Sequence, residues 1–131
     1  MSQLKQLLCL AELDQQQLAG LLDLALEIKQ HPNNYSTALK GKSIALLFEK
    51  PSLRTRVSFD VGINKLGGHS VYLDQQNGAM GVRESVEDFG SNLACWTDAI
   101  VARVYSQQSL IKLAQSSKKL PSSSRRMQTE P

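Results

Sequence analysis

Residues 43–66, SIALLFEKPSLRTRVSFDVGINKL, decide the fold. Ser43-Ile44-Ala45-Leu46-Leu47-Phe48 is a short apolar run after Gly41, suited to a strand buried on both faces, as parallel strands are. The polar segment Glu49-Lys50-Pro51-Ser52 follows at once. From Leu53 onward, Val57 and Val61, with Phe59, Ile63 and Leu66 on the adjoining strip, recur at helical spacing until Gly67-Gly68 stops the run. A buried strand therefore turns into a helix within four polar residues.

Outward from this unit the same alternation holds. Upstream, Asp14 with Gln17 three residues on reads as a capping box, and Leu18, Leu21, Leu22, Ala25 and Ile28 continue a helix of about four turns that His31-Pro32-Asn33-Asn34 ends. Downstream, His69-Ser70-Val71-Tyr72-Leu73 reads as a second strand, and a polar loop runs from Asp74 to Glu84. Ser85 can cap a helix with Asp88 at its third position, and Phe89, Leu93 and Trp96 then lie at i, i+4 and i+7 as its apolar stripe. Ala99 to Val104 is a third strand, and Ser106 caps a last helix with Leu110, Leu113 and Ala114 inward. The order predicts an α/β fold: an open parallel sheet with helices on both faces, joined by right-handed crossovers. In such sheets ligands bind at the carboxyl ends of the strands.

At 131 residues the chain has room for one domain. Its apolar fraction of 41% and charged fraction of 21% are ordinary for a globular protein. No run approaches the ~20 apolar residues of a bilayer crossing, and Met1-Ser2-Gln3 does not open a signal peptide, so a cytoplasmic location is expected. Cys9 and Cys95 lie far apart with no metal-ligand spacing, so both are expected to be reduced thiols, with Cys95 in the core. The net charge of +3 comes from the end of the chain: residues 116–131 hold Lys118, Lys119, Arg125, Arg126 and one acid, Glu130. Of the chain's 15 bases and 12 acids, 11 of each remain in residues 1–115. That Ser-rich tail has no stacking aromatics, which argues against nucleic acid as a partner, and nothing points to a membrane.

The strongest chemical signal is FEKPSLRTR, residues 48–56, at the turn from strand to helix. There the first-turn N–H groups lack intrahelical partners and the helix dipole favours an anion. Ser52 and Thr55 add hydroxyl donors, and Arg54 adds a planar fork that can grip two phosphate oxygens. Each charge-assisted bond contributes ~1.5–3 kcal/mol, so a few suffice to hold a small dianion. The competing reading makes Ser52 an ordinary cap and leaves the arginines solvated or paired with Glu49 and Asp60. The segment is not a P-loop, since GxxxxGKS/T and its glycines are absent.

The string FEKPSLRTRVSF closely resembles the SxRTR phosphate motif of carbamoyltransferases, and the FEK before it looks like the ornithine branch of that family. The similarity continues through LGGHSVYL, GVRES and DAIVARVYSQ, across residues 4–115. The resemblance implies a two-domain α/β subunit, assembled into homotrimers, with the active site between domains and at a subunit boundary. It implies that carbamoyl phosphate is bound by Ser52, by Leu53 through its backbone N–H, by Arg54, by Thr55 and by Arg103. Thr55 and Arg103 would be catalytic, facing the carbonyl oxygen, with Arg56 supporting the loop. Leu53 stands where threonine is commoner, and Ala79 where glutamine or histidine is. His31 and His69 are expected to be uninvolved. The implied reaction is attack by the δ-amine of ornithine on the carbonyl carbon, giving citrulline and phosphate, without metal or cofactor.

The family continues into an HPxQ motif and then an ornithine domain, and nothing after Gln115 resembles either. Residues 1–115 are therefore expected to be a partial carbamoyl-phosphate-binding domain, incomplete at its C-terminal end, and 116–131 a disordered tail outside the family. Such a chain is expected to be a fragment with little turnover by itself, engaging ornithine only if the missing domain is supplied. The alternatives are a non-catalytic module that binds phosphate or carbamoyl phosphate or inhibits a complete paralogue, and a polyanion or membrane-surface binder acting through the tail.

Overall fold

The computed structural model describes residues 5–74 and 85–118, with two compact units, residues 1–36 and 37–131. In the first, a 3-10 turn at Leu10–Glu12 precedes helix α1, Gln15–Gln30, and a second 3-10 turn spans Pro32–Tyr35. The expected capping box is present: Gln17 N donates to Asp14 Oδ1 at 2.8 Å, and Asp14 N donates to Gln17 Oε1 at 3.1 Å. His31 is the C-cap of α1, and its N–H donates to the Glu27 carbonyl.

The second unit is the α/β core. Its strands are β1 (Ser43–Phe48), β2 (His69–Asp74) and β3 (Ala99–Arg103), and its helices are α2 (Leu53–Lys65), α3 (Val86–Trp96) and α4 (Gln107–Lys118). The strands lie in the order β2-β1-β3, all parallel, with Phe48 opposite Asp74 on one side and Arg103 on the other. The chain moves from β1 to one edge and then crosses back to the other. Right-handed crossovers then require α2 and α3 on opposite faces. The core has that arrangement: Ile44, Leu46 and Phe48 pack with Ile63 of α2, whereas Ala45 and Leu47 pack with Val86 and Leu93 of α3 and Leu113 of α4.

Helix α2 ends in a Schellman motif at the expected glycines. Gly67 has φ 87, its N–H donates to the Asn64 carbonyl at 3.0 Å, and the Gly68 N–H donates to Ile63 at 2.9 Å. A side chain at Gly68 would press on Leu39 and Ile63, which explains the second glycine.

Three expectations shift. The buried stripe of α3 is Val86, Gly90 and Leu93, and Trp96, the last helical residue, is 71% exposed. Glycine has no apolar side chain to announce it, yet Gly90 is where α4 comes closest: an added Cβ would collide with Ser116 Oγ and meet Leu113. Helix α4 continues to Lys118, three residues past the expected boundary at Gln115, and Ser116 is 2% exposed with its hydroxyl donating to the Leu113 carbonyl at 3.0 Å. Cys95 is only partly buried and Cys9 is exposed; both are free thiols. The rest of the expected tail, 119–131, lies outside the described residues.

Candidate functional site

In a sheet of order β2-β1-β3 the chain reverses direction between β1 and β3, and the crevice at their carboxyl ends is the place where such folds bind ligands. The turn after β1 and the last residue of β3 meet there. Arg103 Nη1 donates to Thr55 Oγ1 at 2.9 Å, and Ser52 Oγ donates to the same oxygen, also at 2.9 Å. Thr55 thus accepts from both sides, and its own hydroxyl hydrogen is left to donate outward.

Ser52 occupies the N-cap position of α2 with extended backbone, φ −157 and ψ 101, but makes no side-chain cap hydrogen bond. The first intrahelical bond is Arg56 N to the Ser52 carbonyl at 3.0 Å, so the N–H groups of Leu53, Arg54 and Thr55 precede the helical ladder. No acid lies in this first turn. Arg54 is exposed and has no hydrogen-bond or ion-pair partner among the described residues. The Leu53 side chain is 77% exposed, so what it offers the crevice is its N–H. Lys50 Nζ stands 5.1 Å from the centre of the Tyr105 ring across the same crevice.

The structure thus brings Ser52, Thr55 and Arg103 into one hydrogen-bonded group and places Leu53 and Arg54 on the same helical turn. Arg56 points elsewhere. Its guanidinium lies 3.7 Å from the centre of the Tyr72 ring and its Nε is 4.0 Å from Asp60 Oδ2, while Asp60 also accepts from Ser70 Oγ. It ties α2 to β2, the supporting position expected of it. His69 begins β2, at the end of the sheet opposite the crevice. The loop with Ala79 lies outside the described residues.

Sequence reasoning missed two participants. Glu49 is buried, its Oε1 accepting the Tyr105 N–H at 2.8 Å and its N–H donating to the Arg103 carbonyl at 2.8 Å. Tyr72 supplies the ring on which Arg56 rests. Only the adjacency of Glu49 to the strand end, and of Tyr105 to Arg103, could have signalled the first. No group of three or more metal-binding side chains occurs among the described residues.

Residues 5–124 match the family described as "Aspartate/ornithine carbamoyltransferase, carbamoyl-P binding domain". The chain is 63% identical over 112 residues to an ornithine carbamoyltransferase of Shewanella oneidensis, covering 86% of this chain and 37% of that protein. Among solved structures, ornithine carbamoyltransferase from Thermus thermophilus superposes with TM-score 0.78 at 43% identity, over 88% of this chain and 40% of that one. The anabolic ornithine carbamoyltransferase from Campylobacter jejuni gives TM-score 0.80 at 30% identity, over 88% and 37%. The chain spans little more than a third of the length of these relatives. With the strand order, the switch-point crevice and the family match in agreement, the chain belongs to the aspartate/ornithine carbamoyltransferase family, through its carbamoyl-phosphate-binding domain.

Proposed function

We propose that this chain supplies the carbamoyl-phosphate side of an ornithine-type carbamoyltransferase, which moves the carbamoyl group to the δ-amine of ornithine and yields citrulline and phosphate. The observation that carries the reading is the 2.9 Å contact of Arg103 Nη1 with Thr55 Oγ1 beside a helix start without a side-chain cap. In this reading the phosphate rests on the N–H groups of Leu53, Arg54 and Thr55, where the helix dipole favours it, and the Arg54 fork holds two of its oxygens. Ser52 orients Thr55. The outward Thr55 hydroxyl and the Arg103 guanidinium donate to the carbonyl oxygen, where charge develops as the amine attacks. The relatives' names support ornithine as the amine, and trimeric assembly and a cytoplasmic setting belong to the same reading. No helix among the described residues is long and apolar enough to cross a membrane.

A second reading, a module that binds carbamoyl phosphate without turnover or joins a complete paralogue, is favoured by the 37% coverage of the relative. One experiment addresses both. Carbamoyl phosphate titrated calorimetrically into the chain should bind, and Arg54→Ala should lose on the order of 3 kcal/mol, more than a hundredfold. Equal affinity in the two proteins rejects the site. Citrulline formed from ornithine by the 131 residues alone, and removed by Arg54→Ala, rejects the second reading; binding without citrulline supports it.

A further inference from the structure

The site needs Arg103 and Thr55 to meet, yet they belong to different elements. The pairing of β1 with β3 ends at Phe48 and Arg103, and beyond it one chain enters the turn to α2 and the other the turn to α4. Glu49 sits at this fork. Its N–H holds the Arg103 carbonyl and its Oε1 holds the Tyr105 N–H, each at 2.8 Å, so it grips the chain on both sides of Val104. Glu49 is only 7% exposed. Its negative charge opposes any anion drawn to the crevice, so attraction of the ligand does not account for an acid at this position. Its hydrogen bonds do: a carboxylate oxygen is an acceptor, and the turn after β3 presents a donor to it.

We propose that Glu49 is a positioning residue of the crevice, fixing the turn after β3 and thereby setting Arg103 against Thr55. The inference rests on the carbamoyl-phosphate reading above. It also makes a distinction among substitutions. Glutamine keeps an oxygen in place of Oε1, aspartate keeps the charge but is one methylene shorter, and alanine removes the acceptor.

The test is titration of carbamoyl phosphate into the full chain and into Glu49→Ala, Glu49→Gln, Glu49→Asp, Arg103→Ala and the Glu49→Ala/Arg103→Ala double variant. Glu49→Ala and Glu49→Asp should weaken binding about tenfold, and Glu49→Gln by no more than about threefold. Because Glu49 acts through Arg103, the double variant should bind no more weakly than Arg103→Ala alone. Losses that add in the double variant overturn the proposal, since a general loss of structure would add. If Glu49→Ala does not fold, the other pair decides: weak binding by Glu49→Asp with near-normal binding by Glu49→Gln supports the proposal, and aspartate equal to wild type overturns it. An absence of binding by the wild-type chain overturns the carbamoyl-phosphate reading and this inference with it, whereas wild-type binding with additive losses overturns this inference alone.

Discussion

Helices α2 and α3 both begin at a serine, and the two serines do opposite things. Ser85 accepts the Asp88 N–H at 3.0 Å, and Glu87 and Asp88 place acids in the first turn of α3, where the dipole favours them. Ser52 turns its hydroxyl to Thr55, and the first turn of α2 carries Arg54 and Arg56 and no acid. The start of α3 is satisfied from within the chain, as are those of α1 through Asp14 and α4 through Ser106, whose Oγ accepts from Gln108 at 3.1 Å. The start of α2 has its N–H groups uncapped and cations at the positive end of a dipole. A helix end arranged this way gives up stability by itself and recovers it when an anion arrives.

Substitutions can separate the two ends. The largest effect on folding is expected away from both, at Gly90→Ala, where the added methyl meets Ser116 and Leu113 and should cost about 1–3 kcal/mol by denaturant melting without changing phosphate affinity relative to stability-matched controls. Ser85→Ala removes a working cap and should cost ~1 kcal/mol, again leaving affinity unchanged. Ser52→Ala should cost only a few tenths of that, since no cap bond is lost, but should weaken carbamoyl phosphate binding by about threefold to tenfold by loosening Thr55. If Ser52→Ala proves as destabilising as Ser85→Ala and leaves affinity untouched, the contrast between the helix starts is broken.

The order of elements was legible because each helix and strand carries its own periodicity and stop signal: the Asp14 box, the run 43–48, Gly67-Gly68 and Ser85 with Asp88 all stand where expected. What the residues could not disclose depends on partners far away in sequence. Whether Ser52 caps or turns to Thr55 is set beside a guanidinium 48 residues from Thr55, and the role of Glu49 is fixed by an N–H 56 residues away. The candidate loop was visible from its local chemistry, whereas its clasp was not. Buried glycine and serine escaped for a related reason. Gly90 and Ser116 carry the contact between α3 and α4, but neither looks apolar, so the stripe was assigned to Trp96 and the end of α4 was placed too early.

The central claim is that the open start of α2, completed by Thr55 and Arg103, receives the phosphate group. The most direct measurement is the amide spectrum of the folded chain during titration with carbamoyl phosphate. The account expects saturable shifts at the N–H groups of Leu53, Arg54 and Thr55 and at the Arg103 side chain, with the capped first turn of α3, Val86 to Asp88, unmoved. Saturating shifts at α3 instead, or none at Leu53 to Thr55, would contradict it.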